Sequence, residues 1–191
     1  YVIGAFCGDN VQVGSKQWFG AGGVVIAVNG NDDNYPATNA DSAFQTLERA
    51  IEMLAPSKDH PITIHIDYEV PDTLNTDTES FPIIMISNVN LIGQGEDVTI
   101  LDAEQTERVI YIWTCENNII SGLTITGGQT DIWDPGNPNW SHNDIHGGGC
   151  YIYYSNTILN HVTITGNTAY QTCGGIYLSN HHSILSNVTI S

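Results

Sequence analysis

The chain repeats itself. GGCYIYYSNTILNHVTIT, beginning at Gly148, aligns without a gap on GGIYLSNHHSILSNVTIS, beginning at Gly174, an offset of 26 residues. CENNIISGLTITGG, from Cys115 to Gly128, carries the second half of the same unit, and FPIIMISNVNLIGQG followed by VTILDA is a more degenerate copy. Each unit holds short runs of Ile, Val, Thr and Tyr broken by Asn, Ser and Gly, which is strand and turn chemistry. A unit this short cannot close a core alone, so it must bury its apolar face by stacking on the next unit. The chain is therefore expected to be a solenoid whose successive coils pair strand on strand in parallel.

Registering the repeats predicts which side chains point inward. Leu123, Val162 and Val188 form one column and Ile125, Ile164 and Ile190 the next, while Thr124, Thr163 and Thr189 between them face outward, with Thr126, Thr165 and Ser191 beside them. Ile119, Ile158 and Ile184 should also stack, although Ile120, Leu159 and Leu185 beside them leave the inward choice open. Upstream, Phe44, Leu47, Ile51 and Leu54 follow the 3-4-3 spacing of one helical stripe, Ser42 and Gln45 fit a capping box, and Pro56 stops the helix. In the following PITIHIDY, Ile62, Ile64 and Ile66 share one face of a strand. A helix over about 42–55 just before the first coil reads as a plug over the open end.

The succession VVIAVNGNDDNYPATNADSAFQTLERAIEML, FPIIMISNVNLIGQGEDVTILDA, NNIISGLTITGG and GGGCYIYYSN resembles the right-handed parallel β-helix proteins of the pectin-lyase-like superfamily, over roughly Val24 to Ser191. The resemblance implies an all-β solenoid with three strands per coil and a short N-terminal capping α-helix. Members of that superfamily include pectate lyases, other polysaccharide lyases and hydrolases, adhesins and surface proteins. The organisation expected is an N-terminal extension over 1–23, then the β-helix over 24–191 with coils from about 61 and an inserted loop over about 129–147.

Charge narrows the partners. Twenty-one carboxylates face only Lys16, Arg49, Lys58 and Arg108, a formal charge of −17, so nucleic acid and anionic membranes are poor partners. No stretch is long and apolar enough to span a bilayer, and a chain opening at Tyr1 reads as a processed protein or an excised piece. Acidity with abundant Asn and Gly suits a solvated extracellular surface, divalent-cation binding or a salty habitat, and an extracellular or cell-surface setting is expected. The four cysteines, Cys7, Cys115, Cys150 and Cys173, form no CxxC pair, and an even count permits three full disulfide pairings. The register puts Cys150 over Ile176, three residues past Cys173, so those two α-carbons should lie roughly 11 Å apart, beyond a disulfide.

Lyases of the superfamily use an Arg or Lys as base, but Arg108, at the start of a strand with Val109 and Ile110, reads as a solvated turn residue, and no catalytic residue can be carried over. The loop QTDIWDPGNPNWSHNDIHG, much longer than the next connection, GNTAYQTC, is where binding function is expected. Its Trp133 and Trp140, with Asp131, Asp134, His142 and Asp144, offer ring faces and carboxylates for sugar recognition. His142 and His146 lie four apart but in Gly- and Asn-rich sequence, which argues against a zinc pair. NGNDDNYPATNAD offers Asn31, Asp32, Asp33 and Asp41, and calcium is the ion such oxygen-rich segments favour, with Asp131, Asp134 and Asp144 as the second cluster. No cofactor is required.

The leading expectation is a non-enzymatic structural or adhesive module, partnered by itself or by further coils at an open C-terminal end, and by extracellular polysaccharide. Stacked end to end it would form a filament. The alternative is the N-terminal part of a polysaccharide lyase or glycoside hydrolase with its active coils further along. A minor one is an ice-binding surface on the Thr rows.

Overall fold

The computed structural model describes residues 11–13, 16–18, 23–26, 30–33, 43–66, 72–130, 145–179 and 182–191. An antiparallel pair comes first, β1 (Val11–Val13) with β2 (Lys16–Trp18). Among the described residues, every later pairing between these strands is parallel. β3 (Val24–Ile26) leads into α1 (Leu47–Met53), β4 (Ile62–Ile66) and β5 (Asp72–Leu74). The coils follow as β6 (Ile83–Ile84), β7 (Val89–Ile92) and β8 (Thr99–Asp102), then β9 (Ile110–Trp113) and β10 (Asn118–Thr126), then β11 (Cys150–Tyr153) and β12 (Thr157–Ile164), then β13 (Ile176–Ser179) and β14 (Ile184–Ile190). One face is the sheet β14-β12-β10-β7-β4-β3, with β8 and β5 continuing it, and another is the four-stranded sheet β13-β11-β9-β6. The chain is a parallel β-helix.

Stacked apolar columns hold it together. Ile64, Leu91, Ile120, Leu159 and Leu185 are in register from coil to coil, as are Leu74, Leu101, Ile125, Ile164 and Ile190 on the adjoining face. Within these columns every residue up to Leu159 and Ile164 is fully buried, each contributing about 1.5–3 kcal/mol. The inward choice left open in the sequence falls on Ile120 and Leu159, while Ile158 turns outward, 37% exposed. The second and third strands of the last three coils run on as one bent strand. The bend is a left-handed residue at the same place in each, Gly122 (φ 67°), His161 (φ 52°) and Asn187 (φ 53°). Gly122 alone meets a second constraint, since a Cβ there would lie 2.8 Å from the carbonyl oxygen of Gly93.

At the first turn Asn117 donates from Nδ2 to Asn88 Oδ1 at 2.9 Å, and Asn156 Oδ1 accepts from the Asn117 N–H at 2.6 Å, so side-chain amides bridge coils where the ladder is interrupted. Inside the same corner Asn118 donates to the carbonyls of Ile86 and Val89.

The plug is present but shorter than the expected 42–55. Thr46, not Ser42, is the N-cap, accepting from the Arg49 N–H, and Ser42 lies outside the described residues. The reason is tertiary. Asp32 accepts from the N–H groups of Gln45 and Thr46 and from the Thr46 hydroxyl, each at 2.9 Å, and Phe44 bridges to Ile26, which keeps the chain extended up to residue 46. Phe44, Leu47 and Ala50 are fully buried against the solenoid end. Cys150 stands over Ile176 as the repeat predicts, and Cys115, Cys150 and Cys173 are free thiols. Burial pushes the Cys150 thiol up to about 12.

Candidate functional site

The outward side of the four-stranded sheet is built of rings. Period-two alternation sends Ile110, Ile112, Cys150 and Ile152 inward, so Tyr111, Trp113, Tyr151 and Tyr153 face out. Coil register then aligns Ile84, Tyr111, Tyr151 and Tyr177 in one column, and Trp113, Tyr153 and Ser179 in the next. Tyr111 stacks on Tyr151 at 5.3 Å and Tyr151 on Tyr177 at 5.1 Å, with interplanar angles of 11° and 9°. His146 extends the stack beyond Tyr177 at 4.8 Å. Along the second column Trp113 meets Tyr153 edge to face at 5.9 Å, and Tyr154 meets Tyr153 likewise at 4.6 Å. Such pairs are worth about 0.5–1.5 kcal/mol each beyond their burial.

The rings differ in access. Tyr151 is 2% exposed, whereas Trp113 is 43% and Tyr154 58% exposed. The stacked tyrosines form the base, and Trp113 with Tyr154 forms the open part. At its plug end the first column runs into a groove of about 240 Å³ between α1 and β6, lined by Glu48, Ile51, Glu52, Pro82, Ile84 and Ile86 among others.

Arg108 corrects the sequence reading. It is 4% exposed rather than solvated, lies 5.4 and 5.0 Å from the ring centres of Tyr111 and Tyr151, and donates from Nε to the Gly147 carbonyl at 2.9 Å and from Nη2 to the His146 carbonyl at 2.7 Å. The long insertion re-enters the coil at those two carbonyls. Its two ends are pinned to the next coil, Gln129 bridging Thr168 and His146 bridging Thr172, with a 2.7 Å contact between His146 Nδ1 and the Thr172 hydroxyl. Arg108 therefore lies beneath the point where the chain rejoins the coil.

The expected sugar-contacting residues Asp131, Trp133, Asp134, Trp140, His142 and Asp144 lie outside the described residues, as does Asp41. Asp32 spends both oxygens on the start of α1, and Asn31 Oδ1 accepts from the Asp33 N–H. Among the described residues no three His, Cys, Asp or Glu side chains are grouped to hold a metal, and no helix is long and apolar enough to cross a membrane. The outward Thr row is engaged by the loop before β8: the Thr124 hydroxyl donates to the Glu96 carbonyl at 2.8 Å and Thr163 to the Glu96 carboxylate at 3.1 Å. Thr124 and Thr163 of the outward row are thus hydrogen-bonded within the fold.

The ring face was missed in the sequence although its signal was present. The gapless repeat already set Tyr151 over Tyr177, and YIW at 111–113 alternates as YIY at 151–153 does.

No protein-family model matches the chain, and no curated protein matches it in sequence. Its structure is similar to the crystal structure of a pectin methylesterase mutant in complex with a hexasaccharide, with a TM-score of 0.55, 17% identity and coverage of 87% of this chain. The chain spans about half of that structure, 48% of its length. With the parallel coils and the plug helix, this likeness gives the chain a right-handed parallel β-helix fold.

Proposed function

We propose that this chain is a non-enzymatic, carbohydrate-binding β-helix module that works outside the cell or on its surface by attaching to polysaccharide. The observation that carries the reading is the ring face: the exposed Trp113 and Tyr154 lie edge to face with Tyr153, on a rigid stacked-tyrosine base. Ring faces cover the apolar faces of sugars, and rings already fixed by packing lose little entropy on binding. The pectin methylesterase of similar fold holds a hexasaccharide, which supports a carbohydrate ligand for this architecture. Affinity electrophoresis through gels containing extracellular polysaccharides tests the proposal. Migration of the native chain should slow in at least one gel, and W113A and Y154A should each lose most of that retardation while keeping the native fold. Unretarded migration in every gel would defeat it.

A second reading, end-to-end stacking, has its own observation. Leu185 and Ile190 are 38% and 51% exposed, whereas their inward counterparts one coil earlier, Leu159 and Ile164, are fully buried. A further β-helix coil, from this chain or a second copy, would cover them. Sedimentation of the isolated chain distinguishes the two states: stacking predicts mass growing with concentration, and a monomer at high concentration opposes self-stacking.

A further inference from the structure

Resting on the carbohydrate-binding reading, we infer that the polymer seated on the ring face is uncharged: a neutral or fully esterified polysaccharide rather than a polyuronate. A polyuronate places a carboxylate on every sugar, and a site for it needs exposed cations. This chain has four Lys and Arg in total against 21 carboxylates. Arg108, beside the face, is buried at 4% exposure, with Nε and Nη2 committed to backbone carbonyls below the rings. Arg49 belongs to the plug, where it pairs with Glu52 at 3.6 Å and donates to the Asp32 carbonyl. Lys58 lies in the turn between α1 and β4, and Lys16 in the β1–β2 pair. Among the described residues, the cation in contact with the rings is Arg108, and it is buried.

The borders of the face carry the opposite sign. Exposed Glu116 follows the strand that bears Trp113, and Glu48 lines the groove into which the Ile84–Tyr111–Tyr151–Tyr177 column runs, with Glu52 beside it paired to Arg49. A neutral sugar chain lying along the rings would donate its hydroxyls to those carboxylates, as ionised carboxylates only accept. A polyuronate would instead meet like charges at short range, in the field of a molecule of net charge −17.

The decisive comparison uses one backbone in two charge states, methyl-esterified polygalacturonan and its de-esterified form, with galactan as a neutral reference, in chelator at low and at high salt. The esterified polymer should bind roughly tenfold or more tightly than the de-esterified one at low salt, with the gap closing as salt screens the repulsion. E48Q together with E52Q should narrow the gap severalfold by tightening binding of the de-esterified polymer. Equal or tighter binding of the de-esterified polymer overturns the inference and leaves carbohydrate binding standing. Binding of none of the three polymers removes both.

Discussion

Glu79 makes the fold of the plug depend on pH. Its carboxyl is 5% exposed, Oε1 accepts from the Leu47 N–H at 2.7 Å at the start of α1, and Oε2 is buried with no hydrogen-bond partner. Burial raises its pKa from 4.5 to about 8; the backbone N–H groups of Leu47 and Glu48 oppose the rise, and Asp32 and Glu48 add to it. A carboxyl with a raised folded-state value binds its proton more tightly folded than unfolded. It therefore contributes stability that is complete below pH 4.5 and is lost as pH climbs through about 8. At about 1.4 kcal/mol per unit, that interval corresponds to a loss of about 5 kcal/mol as an upper bound. Glu79→Gln keeps the shape and the carbonyl acceptor for Leu47 but cannot ionise. The variant should melt with the native protein at pH 5 and well above it at pH 9, by about 10 °C, since about 1 kcal/mol moves Tm by about 2–4 °C at this chain length. Melting curves by circular dichroism across pH 5–9 measure the difference directly. Parallel pH profiles for the two proteins would refute the reasoning, because every other carboxylate is common to both.

Other expectations follow from the register and from burial. Ile164→Asp puts an unpaired carboxylate in the buried Ile125–Ile164 column and should unfold the chain or cost it several kcal/mol, whereas Thr189→Asp, exposed on the outward row, should cost far less; equal melting of the two would invert the assignment of faces. In native protein a thiol-specific reagent should label exposed Cys173 within minutes and leave Cys115 and Cys150 unmodified until denaturant is added, read by peptide mass mapping. Rapid labelling of Cys150 in the native state would contradict its place over Ile176.

The solenoid was legible because its physics is periodic. A parallel stack needs like residues one coil apart, so Leu123 over Val162 over Val188 could be read from an alignment of the chain with itself, and the structure returns the same pairs. The plug helix was legible as a stripe but not at its start, because what ends it is Asp32, more than ten residues upstream, binding the Gln45 and Thr46 N–H groups. Arg108 was misread for a similar reason. Its partners are the backbone carbonyls of His146 and Gly147 and the faces of two tyrosines, and a carbonyl 38 or 39 residues away leaves no signal in side-chain identity. Side chains select the coil, but backbone groups brought together by the coil select the fate of a lone cation.

The ring face makes two demands on the same sheet, and exposure separates them. Tyr151 is in contact with Tyr111, Tyr153, Tyr177 and Arg108, and is almost wholly covered. Its removal leaves a ring-sized void and a cation without its neighbouring ring face, so Tyr151→Ala should cost about 3 kcal/mol or more of stability. Trp113, 43% exposed and touching Tyr111 and Tyr153 at ring-centre distances of 6.0 and 5.9 Å, has less to lose on folding and more to offer a ligand. Trp113→Ala should therefore lower Tm by less than Tyr151→Ala does but abolish most polysaccharide retardation. If Trp113→Ala instead destabilised the fold as much as Tyr151→Ala, the exposed rings would be part of the scaffold rather than a surface presented to a ligand, and the reason for assigning binding to this face would be gone.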